Sequence, residues 1–175
     1  MRALAARASD ARRLAVDGPD AAGKTTLADE LAASLASDGD TVVRISTDDF
    51  LRPPEERYRL GEESPEGYYR DSFDHGRFRD AVTAARRRVI ADGVFLQRLE
   101  LAGLWDFTIF LAVGEEEILR RAARRDAERF GDGDVGRYRR RYLPAQRAYA
   151  EQMRPAESAD VVVDNTDPAR PFIRS

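Results

Sequence analysis

Residues 18–26 read "GPDAAGKTT", and Lys24 within them is the only lysine of the chain; every other one of its 29 basic residues is arginine. From Gly18 to Thr25 the run fits the spacing G-x-x-x-x-G-K-[ST] without a mismatch. Before it, "RRLAVDG" (12–18) is a short apolar run ending in glycine, which predicts a buried strand. After it, Leu27, Leu31 and Leu35 recur at four-residue spacing beside Ala28 and Ala32, which predicts one apolar helix face. A strand that turns through glycines into a helix constrains this chain more than any other feature. Gly18 and Gly23 let the backbone curl around an anion with N–H groups inward. The helix starting near Gly23 offers its positive end to phosphate. Thr25 brings a hydroxyl to where Mg²⁺ can be held, and Lys24 lies along the loop toward the β- and γ-phosphate oxygens. The compact lysine ammonium on its flexible stem fits inside such a loop, and the broad arginine fork does not. That accounts for one lysine in an otherwise all-arginine chain. The nucleotide-binding residues expected here are Gly18, Asp20, Ala21, Ala22, Gly23, Lys24, Thr25 and Thr26. A chance match in a Gly/Ala-rich turn would lack the flanking strand and helix.

The rest of the chain alternates in the same way. "SDGD" (37–40) predicts the end of the helix and "TVVRIS" (41–46) a second strand. Residues 52–77, rich in Pro, Glu, Gly and Tyr, show no clear element and read as a long functional loop on the acceptor side. A helix over 77–87, strands over 88–93 and 107–113, and a helix over 115–129 follow, then the turn "FGDGDVG". Residues 137–153 read as helical with a break near Pro144, and 159–165 as the last strand. With 175 residues and 42 % hydrophobic content, the chain suits one domain, 1–175, with a sizeable core. The alternation predicts an α/β fold, a parallel sheet with helices on both faces. With the glycine loop the expectation is three layers of P-loop NTPase type, and the arginine-rich region 115–142 is the candidate for a small helical lid.

Composition narrows the partners. Charged residues are 35 % but nearly balanced, with a net charge of −3, against a general nucleic-acid or membrane binder. The absence of cysteine excludes disulfides and thiolate metal sites. No signal-peptide run opens the chain, and no stretch approaches the ~20 apolar residues of a spanning helix. The expectation is a cytoplasmic protein acting on a small molecule, without nucleic acid or membrane.

In parallel sheets, ligands bind beyond the carboxyl ends of the strands. "ISTDDF" places Asp48 and Asp49 just past the second strand, and "IADG" places Asp92 at the end of the third. Such carboxylates can hold Mg²⁺ or take a proton from an attacking hydroxyl; Asp at a strand end also commonly caps the next turn. Further along, Arg121 and Arg125 project from one side of a helix, with Arg120 and Arg124 one position round. They read either as a solvated face paired with Glu115, Glu116 and Glu117, or as a lid bringing guanidinium groups to a transferring phosphoryl.

Taken together, "VDGPDAAGKTT", "STDDFLR", "SFDHGRF", "VIADGVF", "IFLAV" with "RRAARRD", and "YLPAQRAYAEQMRPAESADVVVDN" resemble the uridine kinase family, within the phosphoribulokinase/uridine kinase group, over most of the chain and in the family's order. The resemblance implies ATP and Mg²⁺ as cofactors. It implies Asp48 as general base for a sugar 5′-hydroxyl and as a group near the metal, with Thr25 and Asp92 completing the metal environment. It implies Asp74 on ribose hydroxyls, Phe73 against the nucleoside, and Arg121 and Arg125 as lid arginines on the phosphates. Lys24, Asp48 and Arg121 form the expected catalytic set. His75, the only histidine, is either a site residue or a structural turn contact, and Tyr58, Tyr68 and Tyr69 are each available to stack on a base. The chain departs from the family in having Asp92 where many relatives have Glu, Leu51 where an aromatic is common, and a shorter stretch between "SFDHGRFRDAV" and "RRRVIADG".

The leading expectation is therefore an ATP–Mg²⁺-dependent kinase for a pyrimidine nucleoside, uridine or cytidine. A kinase of the same build for nicotinamide riboside or pantothenate fits "STDDF" nearly as well. An ATP-dependent switch without acceptor and a non-catalytic nucleotide binder are the readings from other classes. A GTPase would want an Asn-Lys-x-Asp motif, and the single lysine leaves no room for one.

Overall fold

The computed structural model describes residues 1–36, 41–131 and 133–174. The helix stop expected at 37–40 lies outside the described residues. Six strands form one sheet: β1 (Arg13–Asp17), β2 (Val42–Ser46), β3 (Arg88–Asp92), β4 (Phe107–Ala112), β5 (Val161–Asp164) and β6 (Phe172–Ile173), in the order β2-β3-β1-β4-β5-β6. The first five run parallel, as the alternation predicts. β6 is an addition that the sequence pattern did not announce. It pairs antiparallel to β5, with Val163 opposite Ile173, and Arg174 beyond it pairs with Asp164 at 2.8 Å. Two residues carry too little periodicity to be read as a strand.

Side chains alternate across the central strands. Leu14, Val16, Ile90, Ile109, Leu111, Val161 and Val163 pack with Leu4 and Ala5 of α1 (Arg2–Arg7) and with Ala28, Leu31 and Leu35 of α2 (Lys24–Ala36). Ala15, Val89 and Ala91 point to the other face, which also receives Phe78 and Val82 of a helix over His75–Ala84. Helices thus cover both faces, and β1 buries four consecutive residues, as a strand in the middle of a covered parallel sheet must.

Residues 52–77, expected to lack regular structure, contain two short helices, α3 (Pro54–Arg57) and α4 (Pro65–Asp71), before α5 (His75–Ala84) begins. Each starts on a proline whose missing N–H would have had no partner anyway. Ser64 caps α4 by accepting the Gly67 N–H at 3.0 Å. Both helices are too short to show an apolar period. Arg141 holds the segment from outside: its buried guanidinium donates to the carbonyls of Arg57, Gly61, Glu62 and Ser64 and to the Ser72 hydroxyl.

α6 (Glu115–Phe130) ends on Gly131 in the left-handed conformation. The break expected near Pro144 takes the form of a π-helical stretch, Tyr138–Tyr142, that leads into α7 (Leu143–Met153) with Pro144 in its first turn. A wider turn avoids the clash between a proline ring and the preceding carbonyl. The short α8 (Pro155–Ser158) leads into β5.

Candidate active site

The glycine loop leaves β1 and enters α2 as the motif requires. Gly18 has φ +148, and a Cβ there would lie 2.8 Å from the Leu111 carbonyl oxygen of the neighbouring strand. Gly23 has φ +93, and a Cβ would meet the Asn165 amide nitrogen at 2.8 Å. Asn165, just past β5, donates that amide to the Ala22 carbonyl at 2.7 Å. The Lys24 ammonium folds back along the loop and donates to the Pro19 carbonyl at 2.6 Å. The strand-end Asp17, wholly buried, accepts from the Gly18 N–H at 2.8 Å, the Tyr149 hydroxyl at 2.5 Å and the Gln97 amide at 3.2 Å. Burial raises its pKa against the lowering effect of those donors.

A cleft of about 440 Å³ opens over this loop. It brings together Asp20, Ala21, Gly23, Lys24, Thr25, Thr26, Asp48, Asp92, Arg121 and Arg125 from widely separated parts of the chain. Thr25 Oγ1 donates to Asp92 Oδ2 at 2.7 Å, and Arg44 Nη2 holds Asp92 Oδ1 at 2.9 Å. Asp48 stands on a 3₁₀ turn, Thr47–Phe50, directly after β2. By surface area Asp48 is exposed, so a ligand can reach it, yet it stands in a recess with protein on most sides. That desolvation raises its pKa first, the charges of Asp20, Asp92 and Asp49 add to the rise, and Lys24 opposes it. Asp20 is itself anchored, accepting from the Tyr68 hydroxyl at 2.9 Å and the Gln146 amide at 2.5 Å.

Arg121 ties α6 to the loop. Its Nη1 donates to the Ala21 and Ala22 carbonyls, Nη2 to the Asn165 carbonyl at 2.5 Å, and Nε to Glu117 at 2.6 Å. Arg125 is exposed and donates to the Tyr138 hydroxyl at 2.5 Å. Arg124, also on the cleft wall and 70 % exposed, approaches Glu128 at 3.8 Å. Glu115 pairs with Arg147 of α7 rather than with an arginine of its own helix.

Gly18, Ala22, Phe73 and Asp74 do not line this cleft. Phe73 is buried in an aromatic cluster with Tyr68 and Phe95. Asp74 caps α5 by accepting the Arg77 N–H at 3.0 Å. His75 Nε2 lies 3.0 Å from Arg98 Nη1. Since the guanidinium can only donate, that ring nitrogen accepts, and the imidazole is neutral. Burial, then the Arg98 charge, lowers its pKa to about 4. Tyr68 is occupied with Asp20, while the Tyr69 ring carries the Arg98 guanidinium 4.4 Å above it.

Sequence reasoning missed Arg44, Gln146, Asn165 and the Asp17–Tyr149 pair. Arg44 carried a signal, a charged residue inside the apolar strand "VVRIS", where a partner is obligatory. The others gave none, because Gln146 and Asp20, Asp17 and Tyr149, and Asn165 and Ala22 lie 126 or more residues apart.

The residues fit a nucleotide with Mg²⁺. The described residues hold no group of three or more His, Cys, Asp or Glu able to cage a metal by themselves. A hydroxyl with one or two carboxylates beside an anion loop is the donor set of an ion that keeps several waters and shares substrate phosphates, as Mg²⁺ does.

No protein-family model matches the chain, and no curated protein matches it in sequence. Solved structures do match in three dimensions. One is described as "a Possible Uridine Kinase from Bacillus stearothermophilus": TM-score 0.72, 23 % identity, covering 92 % of this chain and 95 % of that one. Another is a "putative fructose transport system kinase" from Silicibacter sp. TM1040: TM-score 0.71, 22 % identity, covering 86 % and 88 %. The chain shares the α/β fold of these structures over 86–92 % of its length.

Proposed function

We propose that the chain is a kinase that transfers the terminal phosphoryl group of ATP, with Mg²⁺, to a hydroxyl of a small molecule, and that the acceptor is a pyrimidine nucleoside phosphorylated at its 5′-hydroxyl. The observation that carries the reading is the position of Asp48: a reachable carboxylate with a raised pKa in one cleft with Lys24, Thr25 and Asp92. A carboxylate so placed takes the proton from an attacking hydroxyl while the loop holds the donor phosphates. In this reading Thr25, Asp92 and Asp48 hold Mg²⁺, which offsets charge on the phosphate oxygens. Lys24 leaves the Pro19 carbonyl for the phosphates, and Arg124 and Arg125 lie over them on the cleft wall. Arg121 fixes the loop backbone from behind and contributes less direct charge than its motif position implies.

The uridine kinase-like motifs and the first neighbour support the nucleoside acceptor. The second neighbour argues for keeping a sugar in view, as does the burial of Phe73, which leaves its ring no open face for a base. ADP release with ATP and Mg²⁺ tests the reading against uridine, cytidine, fructose, nicotinamide riboside, pantothenate and no acceptor. Turnover with uridine or cytidine that collapses in Asp48→Asn is the expected result. Turnover with another acceptor keeps the kinase and replaces the substrate. ADP release indifferent to every acceptor turns the reading toward a nucleotide-dependent switch.

A further inference from the structure

We infer that Arg44 is a positioning residue: it orients Asp92, and through Asp92 the Thr25 hydroxyl, for the metal–nucleotide complex. The inference rests on the kinase reading above. Arg44 sits inside β2, where Val43 and Ile45 turn to the α5 face and Val42 to the α2 face. Arg44 shares the α2 side by the two-residue alternation of a strand. Its guanidinium makes three contacts with two other elements: Nη1 donates to the Ile90 carbonyl of β3 at 2.7 Å, Nη2 to Asp92 Oδ1 at the end of β3 at 2.9 Å, and Nε to Asp29 Oδ1 of α2 at 2.9 Å.

An arginine that only balanced a buried acid would need one of these contacts. All three together leave the fork a single orientation, and a planar fork with fixed anchors fixes the plane of the carboxylate it holds. Asp92 has little other freedom, since its side chain is 4 % exposed and its second oxygen takes the Thr25 hydrogen. Because Thr25 spends its hydrogen on Asp92, its oxygen lone pairs are left for a cation in the cleft. The direction of those lone pairs is therefore set by a relay from Arg44 to Asp92 to Thr25. Arg44 also approaches Asp92 on the oxygen that Thr25 does not use, so its charge offsets that carboxylate without occupying the Thr25 side. Partners that orient a metal's ligands from behind typically change metal affinity or activity 10–100-fold when removed.

The test is binding of a fluorescent ATP analogue, without acceptor or turnover, titrated with Mg²⁺ and repeated in EDTA. Wild type, Arg44→Gln and Arg44→Lys are compared, with circular dichroism to confirm folding. For Arg44→Gln the Mg²⁺ concentration at half-saturation rises about 10-fold or more, while binding in EDTA changes little. Arg44→Lys, which keeps the charge and loses the fork, falls between the two. A folded Arg44→Gln with the wild-type Mg²⁺ requirement overturns the inference, and so does an equal loss of binding with Mg²⁺ and in EDTA, which marks a purely structural residue. If Arg44→Gln does not fold, Arg44→Lys decides by the same two criteria. A wild-type chain that binds no nucleotide at all sinks the kinase reading itself, a result distinct from a normal wild type with indifferent variants.

Discussion

The hydroxyl of Thr25 donates to the carboxylate of Asp92 across 2.7 Å, joining the first turn of α2 to the last residue of β3. The two lie 67 positions apart in the chain. A motif residue of the glycine loop and a strand-end acid thus become one unit, held from the far side by Arg44.

Asp92→Asn should damage this unit although it is nearly isosteric. Both partners of Asp92, the Thr25 hydroxyl and the Arg44 guanidinium, are donors, and an amide offers an oxygen to only one of them. We expect Mg²⁺-supported nucleotide binding to weaken about 10–100-fold. Asp92→Glu, which keeps both acceptor oxygens, loses less. Mg²⁺ titrations of nucleotide binding decide; equal behaviour of the two variants contradicts the argument.

Gly93 and Thr47 set the spacing between the two strand-end acids. A Cβ on Gly93 would come 2.1 Å from Thr47 Oγ1 and 2.6 Å from its methyl carbon. Gly93→Ala should cost about 1–3 kcal/mol by overpacking and displace Asp48 and Asp92, with part of the loss recovered in a double variant with Thr47→Ala. Thr47 Oγ1 is also buried without a hydrogen-bond partner. Thr47→Val keeps the shape and removes that hydroxyl, so it should be neutral or stabilising. Denaturant unfolding measures all four proteins, and a Thr47→Val chain clearly less stable than wild type refutes the second part.

Arg141 organises the segment around α3 and α4, whose sequence shows no regular period. Its removal takes a charged donor from the part-buried carbonyls of Arg57, Gly61, Glu62 and Ser64, of which Gly61 and Ser64 keep a backbone N–H. Hydrogen bonds to a charged group contribute about 1.5–3 kcal/mol each when cleanly deleted, so Arg141→Ala should cost at least about 3 kcal/mol. Arg141→Lys should rescue little, because an ammonium cannot span the same fork of acceptors. Hydrogen exchange should accelerate first over residues 57–72. Uniform acceleration along the chain would show that Arg141 does not act locally.

His75 gives the fold a pH dependence of definite sign. In the folded chain it stays neutral down to about pH 4, whereas unfolded it takes a proton near its ordinary value of 6.5. Its contribution is therefore fully present above about pH 6.5 and is lost as pH falls from there through about 4, at most about 3 kcal/mol. His75→Gln should flatten the stability profile across that window. An unchanged slope assigns the acid sensitivity to other groups.

The sequence alone determined the layered α/β plan and the loop at its centre. "GPDAAGKT" names its own geometry because each residue type answers a local need: backbone freedom at Gly18 and Gly23, a slender cation at Lys24, a hydroxyl at Thr25. The five parallel strands were legible for the same reason, since apolar runs between helical periods are local signals. Asp48 and Asp92 could be placed at the cleft because strand ends point to one edge of a parallel sheet.

The tertiary structure alone decided which groups hold which. Arg44 on Asp92, Gln146 and Tyr68 on Asp20, Tyr149 on Asp17 and Asn165 on the Ala22 carbonyl all join elements far apart in the chain. It turned Arg121 toward the backbone carbonyls of the loop, where spacing alone allowed either a solvated face or a lid. It also built α3 and α4 where no period shows, with Arg141 donating from another element to the carbonyls of Gly61 and Glu62 that join them. Periodicity reports how a segment meets a surface; the pairing of buried charges depends on what the rest of the chain brings to that surface.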